Sequence, residues 1–560
     1  MFWSADSKPT VGPPLSDKLK ALKDEVLEAR ARQCSERAAQ PTVAEFYAGR
    51  NVLMTGGSGF LGRMIVEQLL RTSPDIGNIY LVLRAKKGEP PQERLRGLLD
   101  VPLFDRLRAE RPGALSKVVV LPGDITELAL GLSPEHQALV RQEVSVVFHV
   151  AASVRFDDPF QKAVFTNLRS TREVVALARA MPQLKVLNHV STAYCNSDRS
   201  PMEERVYAPD LDWAEVIRWA EQLPPADVQA VNFLGHKVMG SQANTYVFTK
   251  ALAEQLLEDA ADDLPVVITR PSIVVPTLKD PIPGWIDNLY GLSGFWVGGF
   301  KGLMRIVYCD NIVFNSVPAD VATKNIVLAS WIKGIGRTFP ARSGQGGTAD
   351  ATLPVADVAN ISIDKDSGVS MEEMSWVVSE AGVGRMVPFP GALRPPKVEM
   401  TSCKVWYLMM VWYHHYLFGF ILDLLARVVG VKPMVLKIYR KVVVAIDATR
   451  SFWKPFDFKN DNLVFLQTMI HPKDVSAYCI LDLLSGRDNE ETFREITVTC
   501  MRGILKYTLK EEDNPQKNWR MIQRLKWVNA AYHTLMALVF CALAYGLLQI
   551  RSPSLRSKSL

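Results

Sequence analysis

Residues 51–62 read NVLMTGGSGFLG, and this stretch decides the fold. An apolar run, Val52–Met54, ends in Thr55. Gly56, Gly59 and Gly62 then recur at every third position, and a helical pattern, RMIVEQLLRT, follows at 63–72. The order predicts a strand, a tight turn and a helix. Gly56 permits the turn, Gly59 lets a pyrophosphate approach the backbone, and Gly62 lets the helix pack close to the strand. The phosphates would sit on the helix N-terminus, whose first N–H groups lack internal partners.

Working outward, the next strand, Ile79–Leu83, ends at Arg84, with Lys86 and Lys87 close behind. An acidic group there would suit the ribose 2′-hydroxyl of NAD; a basic group suits the 2′-phosphate of NADP. Further strand–helix units follow. Val118–Leu121 runs into Gly123-Asp124-Ile125, Val144–Val150 into Ala151-Ala152, and Val186–Val190 into Ser191-Thr192. Strands alternating with helices predict an α/β domain with a doubly wound, Rossmann-type parallel sheet, whose ligands lie at the carboxyl ends of the strands.

Tyr246 and Lys250 stand four apart in the helical pattern NTYVFTKALAEQLLED, so their side chains share a face. Of the 15 tyrosines, Tyr246 alone has lysine at the fourth following position. A free phenol, with a pKa near ~10, is a poor acid–base at neutral pH. A neighbouring ammonium is expected to lower that pKa and suit proton transfer to a substrate oxygen. Ser191 and Thr192, at a strand end, can donate a hydrogen bond to the same oxygen.

Composition narrows the class. The chain has 560 residues, 48% hydrophobic and 22% charged, which excludes a disordered or collagen-like protein. A net charge of +6 over this length gives no reason to expect nucleic acid. The 7 cysteines include no CxxC pair and no metal-like spacing, so they read as reduced cytosolic thiols, and no metal is expected.

The N-terminus, MFWSADSKPTVGPP, lacks the basic and apolar blocks of a secretory signal. Residues 17–38 read as a solvated accessory helix within an extension covering 1–45. At the other end, Val528–Ile550 carries no Lys, Arg, Asp or Glu. As a helix it would measure about 34 Å, enough for a hydrocarbon core, and it is expected to span a membrane as an anchor over 526–551, with a tail at 552–560. The final SKSL departs from the SKL peroxisomal address. Val405–Leu425 is also apolar but holds His414, His415 and Asp423; it reads as a buried or interfacial helix. Adjacent histidines cannot face one metal from one side of a helix.

TGGSGFLG, GDI, HVAASVRF, VSTAY, YVFTK and RPSIV together resemble an extended short-chain dehydrogenase/reductase. PGWIDN (283–288), VPADVATKNIVLASW (317–331), LLARVVGVKPMVLKIYRK (424–441) and SFWKPFDFKNDN (451–462) narrow the resemblance to the alcohol-forming fatty acyl-CoA reductases. It runs from about Tyr47 to about Tyr507. It implies NADPH-dependent reduction of a long-chain fatty acyl-CoA to a fatty alcohol and CoA, through a bound aldehyde. The implied organisation is a catalytic domain over 46–365, a linker over 366–400 and a helical acyl-chain domain over 401–525. By the same resemblance Tyr246 is the proton donor, Lys250 tunes it and binds the ribose, and Ser191 or Thr192 is the oxyanion partner, with a slight preference for Thr192. Gly56, Gly59 and Gly62 hold the dinucleotide, Arg84 takes the 2′-phosphate, and Asp124 and Ile125 border the adenine. Thr55, Ser58, Phe60, Leu61, Ala151, Ala152, Asn167, Pro271, Ser272 and Ile273 complete the implied cofactor contacts. The Gly/Trp-rich segment 284–300 reads equally as a lid or as a structural loop.

The implied reagents are cytosolic, so the catalytic bulk is expected to face the cytosol from an endoplasmic reticulum or peroxisomal membrane. Self-association stays open. Two rivals share the early motifs: a membrane-bound sterol or nucleotide-sugar dehydrogenase or epimerase, and a non-catalytic NADP-binding scaffold. The first has no need of KPMVLKIYRK and FDFKNDN, the second no need of Tyr246 and Lys250.

Overall fold

A computed structural model describes residues 17–551, apart from 87, 208–210, 224–234, 236, 241, 243, 341–354, 363–368, 380–381 and 482–489. The signal and SKSL readings, on 1–16 and 552–560, lie outside the described residues, as does Lys87.

The glycine stretch folds as its spacing predicts. Strand β1 (Asn51–Thr55) turns at Gly56, whose φ is +76°, into a helix at Phe60–Thr72. Six more strands complete a parallel sheet: β2 (Ile79–Leu83), β3 (Val118–Pro122), β4 (Val144–His149), β5 (Val186–Val190), β6 (Val266–Pro271) and β7 (Asp357–Ile361). Their spatial order is β7-β6-β5-β4-β1-β2-β3. β1 pairs with β2 on one side, Val52 opposite Ile79, and with β4 on the other, Thr55 opposite His149. The order reverses between β1 and β4, and that switch point opens the crevice where such sheets take ligands.

The helices that matter below are α1 (Asp17–Arg32), α2 (Phe60–Thr72), α3 (Ser170–Arg179), α4 (Thr245–Ala260), α5 (Ala319–Gly334), α6 (Lys404–Val428), α7 (Val435–Ala448) and α8 (Pro515–Arg551). The strands are apolar on both faces because both are covered. On one face Ile65 and Leu69 of α2 pack with Ile326 and Trp331 of α5. On the other, Val174 of α3 packs with Leu252 and Leu256 of α4.

The 401–525 stretch does not stand apart from this sheet. Met202 N–H donates to Asp457 O (2.7 Å) and Lys459 N–H to Met202 O (2.9 Å), so the FDFKNDN segment pairs with the loop after β5. Asn462 Nδ2 then bonds Val358 O on β7 (2.7 Å), and Leu466 and Met469 enter the α2/α5 core. A second core forms from Trp296 and Phe300, Met374 and Trp376, and Met501 and Ile504. The stretch expected as a linker therefore contributes a packed helix, Met371–Val378. Within 284–300, Leu292–Phe300 is likewise helical and largely buried, and Thr508 Oγ1 bonds Ile286 O (2.7 Å). This favours the structural reading over the lid.

The helix expected to be solvated near the N-terminus is docked instead. Arg30 Nε bonds Gln467 O (2.8 Å), Arg37 Nε bonds Ile470 O (2.7 Å), and both arginines are buried. Their donors reach main-chain carbonyls, a pairing that periodicity in the sequence cannot display.

Glu204 joins the same seam. Its carboxyl accepts from Asn360 N (2.8 Å) and Asn462 N (2.7 Å), while burial pushes its pKa up to about 8. An acid whose folded pKa is raised stabilises fully below its unfolded value of about 4.3, and that contribution is lost as pH rises through about 8. Glu204→Gln should therefore gain stability relative to the parent between about pH 4 and pH 8. Thermal unfolding midpoints of the two proteins at several pH values check this; parallel curves would contradict it.

Candidate active site

The glycine turn is shaped by close approach. A Cβ on Gly56 would meet Ala151 N at 2.5 Å, and one on Gly62 would meet Gly56 O at 2.3 Å. Neither position tolerates a side chain without moving backbone. Gly59 caps α2 and offers no side-chain acceptor, so the helix N-terminus points into the crevice uncapped by any side chain. That arrangement fits a pyrophosphate. Ser58, Phe60 and Leu61 lie in this turn and the first turn of α2, and Ala151 and Ala152 follow β4 across the switch point. Ser272 Oγ, just after β6, is buried with no partner among the described residues, while Pro271 ends β6 and Ile273 opens the next short strand.

At the far ends of β2 and β3, Arg84 and Asp124 form an ion pair (3.1 Å). Asp124 also accepts from Thr126 N (3.0 Å) and Thr126 Oγ1 (2.8 Å), and with Arg84 these bonds outweigh burial and lower its pKa. Arg84 stays mostly exposed, free to meet a ligand from the solvent side. Ile125 follows in the same turn.

Tyr246 and Lys250 lie on α4 as the four-residue spacing predicts, with Asn244 capping the helix through Val247 N (3.0 Å). Thr192 is the hydroxyl that bears on the Tyr246 phenol and opposes the rise of its pKa. Ser191 is buried beside the Cys195 thiol, whose pKa burial drives up, so that cysteine is no nucleophile. The expected lowering of the Tyr246 pKa is not what the structure shows. Burial raises it, and the Thr192 bond only partly opposes this. The reason is where the ammonium goes: Lys250 Nζ donates to Val190 O (2.7 Å) and to His189 Nε2 (3.2 Å). Burial lowers Lys250 to about 8. The phenol is thus held protonated, a state suited to giving a proton rather than taking one.

The two histidines beneath the dyad escaped the sequence reading. Ala151 N–H reaches Thr55 Oγ1 (3.4 Å), Thr55 bonds His149 Nδ1 (2.6 Å), His149 Nε2 bonds Thr171 Oγ1 (3.0 Å), and Thr171 donates to Asn167 O (2.8 Å). Because Thr171 spends its proton on Asn167, His149 must donate through Nε2 and accept from Thr55 through Nδ1. Burial lowers both His149, to about 3, and His189, keeping them neutral. Asn167 sits in a π-turn and is 1% exposed; its amide accepts from Ser153 N (2.8 Å) and donates to Thr249 Oγ1 (3.0 Å). It ties the loop after β4 to α4.

Over Tyr246 lies an aromatic wall. Tyr194 makes edge contacts with Phe452, Phe456 and Phe458 at 5.3, 5.1 and 5.2 Å, and Phe156 stands 6.2 Å from Tyr246. Three of these rings come from SFWKPFDF, which explains why that segment returns to the sheet. Among the described residues no cluster of His, Cys, Asp and Glu could hold a metal. The geometry therefore offers a dinucleotide cradle, a half-buried proton donor beside a hydroxyl and an apolar wall.

Comparison with known proteins agrees. Residues 54–326 match an NAD-binding family model described as male sterility protein, and 414–511 match a second model with the same description. Fatty acyl-CoA reductase 1 of Mus musculus is 31% identical over 508 residues, covering 89% of this chain and 92% of the relative. That of Xenopus laevis is 32% identical over 480 residues, covering 84% and 87%. The terminal R domain of the myxalamid biosynthetic pathway shares the fold, with a TM-score of 0.50 at 18% identity over 88% of this chain and all of that domain.

Proposed function

The chain belongs to the fatty acyl-CoA reductase family, and from that membership we infer that it reduces a fatty acyl-CoA thioester with NADPH, releasing a fatty alcohol and CoA. The observation that carries the inference is the half-buried Tyr246 beside the buried Thr192 at the end of the sheet, next to a glycine-lined dinucleotide cradle. The cofactor, when bound, supplies hydride. Gly56, Gly59 and Gly62 would hold its pyrophosphate, and Arg84 its 2′-phosphate.

Thr192 and Tyr246 donate to the carbonyl oxygen, stabilising negative charge as it develops there. Tyr246 then gives its proton to that oxygen. Lys250, fixed by Val190 O and His189, keeps a positive charge beneath the dyad. That charge is lost as pH rises through about 8, so the dyad works below it. The phenylalanines of 451–462 exclude water and accept the apolar acyl chain. Thioester reduction needs two reductive rounds. In the first the hemithioacetal hydroxyl returns its proton to Tyr246 as the C–S bond breaks and CoA leaves, its thiolate taking a proton from solvent. In the second Tyr246 protonates the alcohol oxygen and is reprotonated from solvent.

We further propose that α8 anchors the protein in an endoplasmic reticulum or peroxisomal membrane. Its backbone is helical through Arg551, and Leu538, Val539 and Phe540 are exposed; the side chains at 543 and 546–550 lie outside the described residues. NADPH and acyl-CoA are cytosolic reagents, so the catalytic region faces the cytosol.

Tyr246→Phe should cut reduction by ~10²–10⁴-fold while leaving NADPH binding nearly intact; purified protein assayed with an acyl-CoA panel and by cofactor titration checks both halves. The parent should prefer NADPH over NADH, and Arg84→Asp should erode that preference, read as the ratio of kcat/KM for the two cofactors. Protease added outside sealed vesicles should digest the catalytic region; protection of it would reverse the orientation.

A further inference from the structure

Helix α6 is amphipathic the wrong way round for a water-facing helix. Its histidines and Asp423 point into the protein, and its cations Lys404 and Arg427 stand at its two ends. His414 Nδ1 meets Arg394 Nη1 (3.2 Å), His415 Nε2 accepts from Arg305 N (3.3 Å), and Asp423 caps α7 through Val435 N (2.8 Å) and Leu436 N (3.0 Å). The outward stripe is Val405, Leu408, Trp412, Phe420, Leu424 and Val428, all at least half exposed. Soluble helices place these classes the other way. The turn into α7 continues the pattern with Val429, Val431 and Met434 exposed.

Cations rim the apolar surface. Arg427, Lys432, Lys437, Arg440 and Lys441 are exposed, and no Asp or Glu occurs from Leu424 to Ile446. None of the five makes an ion pair within the length limit of a salt bridge among the described residues. Aliphatic side chains bordered by unpaired Lys and Arg match the acyl layer and anionic headgroups of one leaflet.

The hairpin returns to the side it left. Before α6, Glu399–Thr401 pairs with Ile306–Tyr308, and at the end of α7 Asp447 accepts from Tyr407 near the start of α6 (3.4 Å). A helix so tethered at both ends, with a charged return, lies in one leaflet rather than crossing both. It is also continuous with α8. Phe418 and Tyr532 meet at 4.9 Å, Met536 packs in the same cluster, and Tyr532 donates to Tyr413 O (2.8 Å).

We propose that the α6–α7 hairpin is a second lipid-binding element, embedded in the cytosol-facing leaflet of an anionic bilayer, and that it forms with α8 one continuous membrane face. α7 leads directly into Phe452, Phe456 and Phe458, so this face connects along the chain to the aromatic wall over Tyr246. The surface stands independently of the reductase reading, because lipid contact is measured without turnover.

The test uses the full chain with the exposed Cys34, Cys403 and Cys541 replaced by serine. An environment-sensitive fluorophore is placed through Val428→Cys, Phe540→Cys or Leu128→Cys, and each protein is reconstituted into phosphatidylcholine/phosphatidylserine vesicles with and without spin-labelled acyl chains. The Val428 probe should shift to the blue and be quenched by shallow acyl labels; the Leu128 probe, on the reductase unit, should do neither. Replacing Lys432, Lys437 and Arg440 with glutamate should weaken the Val428 quenching on anionic vesicles. A water-like Val428 probe beside a quenched Phe540 probe overturns the hairpin proposal and leaves the α8 anchor standing; loss of quenching at Phe540 alone overturns the anchor. A blue shift at Val428 that lipid labels do not quench would place a second copy of the chain on this face and overturn the proposal.

Discussion

The Arg270–Glu254 ion pair holds the catalytic geometry together. Both side chains are almost wholly buried, at 2% and 1% exposure, and the guanidinium donates to both carboxylate oxygens, at 2.9 and 2.6 Å. Taking two charges out of water is costly unless the remaining donors are also satisfied. Here they are: Nη1 reaches Glu203 O (3.1 Å) and Nη2 reaches Arg205 O (2.8 Å). Glu254 lies one turn beyond Lys250 on α4, and Arg270 lies near the end of β6. The pair therefore fixes the rotation of the helix that carries Tyr246 against the sheet edge that carries Thr192. Cys195, donating to Glu254 at 3.2 Å, draws the loop after β5 into the same knot.

From that knot the rest of the site follows by short steps. The loop held by Arg270 contains Glu204, whose carboxyl fixes Asn360 and Asn462, and Asn462 lies in the first turn of the helix Asp461–Met469 that opens at the end of FDFKNDN. Met202, two residues earlier, pairs with that segment and places Phe456 and Phe458 against Tyr194. One buried charge pair thus orients the proton donor and, through a neighbouring loop, the wall that packs against it. Burial raises the phenol and lowers the ammonium, which keeps the phenol a proton donor.

What the sequence made legible was local. The strand, glycine turn and helix of 51–72 lie within one continuous segment, and the Tyr246/Lys250 spacing depends only on helical periodicity. The parts that stayed hidden join residues far apart. His189 and Val190 take the Lys250 ammonium from sixty positions away, Arg30 reaches a carbonyl at Gln467, and Asn462 reaches β7. No periodicity records such pairings, and so the expected pKa of Tyr246 pointed the wrong way: the spacing put an ammonium on the same helix face but could not say which acceptors would claim it. Asn167 illustrates the same limit. Its position on a helix was readable, whereas the π-turn that aims its amide at Ser153 and Thr249 was not.

Hydropathy met a related limit in α6. Counted along the chain, His414, His415 and Asp423 interrupt the run and argue for a buried or interfacial helix over a spanning one. Counted around the helix, they vanish from the outer surface, because Arg394, Arg305 and the first turn of α7 use them. The same residues that lower the average hydropathy are what allow the opposite stripe, Val405 to Val428, to be apolar, since they bind the helix to the body from within. A composition window averages over these two faces, whereas a bilayer meets only one of them. The preference of a helix for lipid is therefore set by where the polar groups along its middle find partners, and in this chain His414, His415 and Asp423 find them inside.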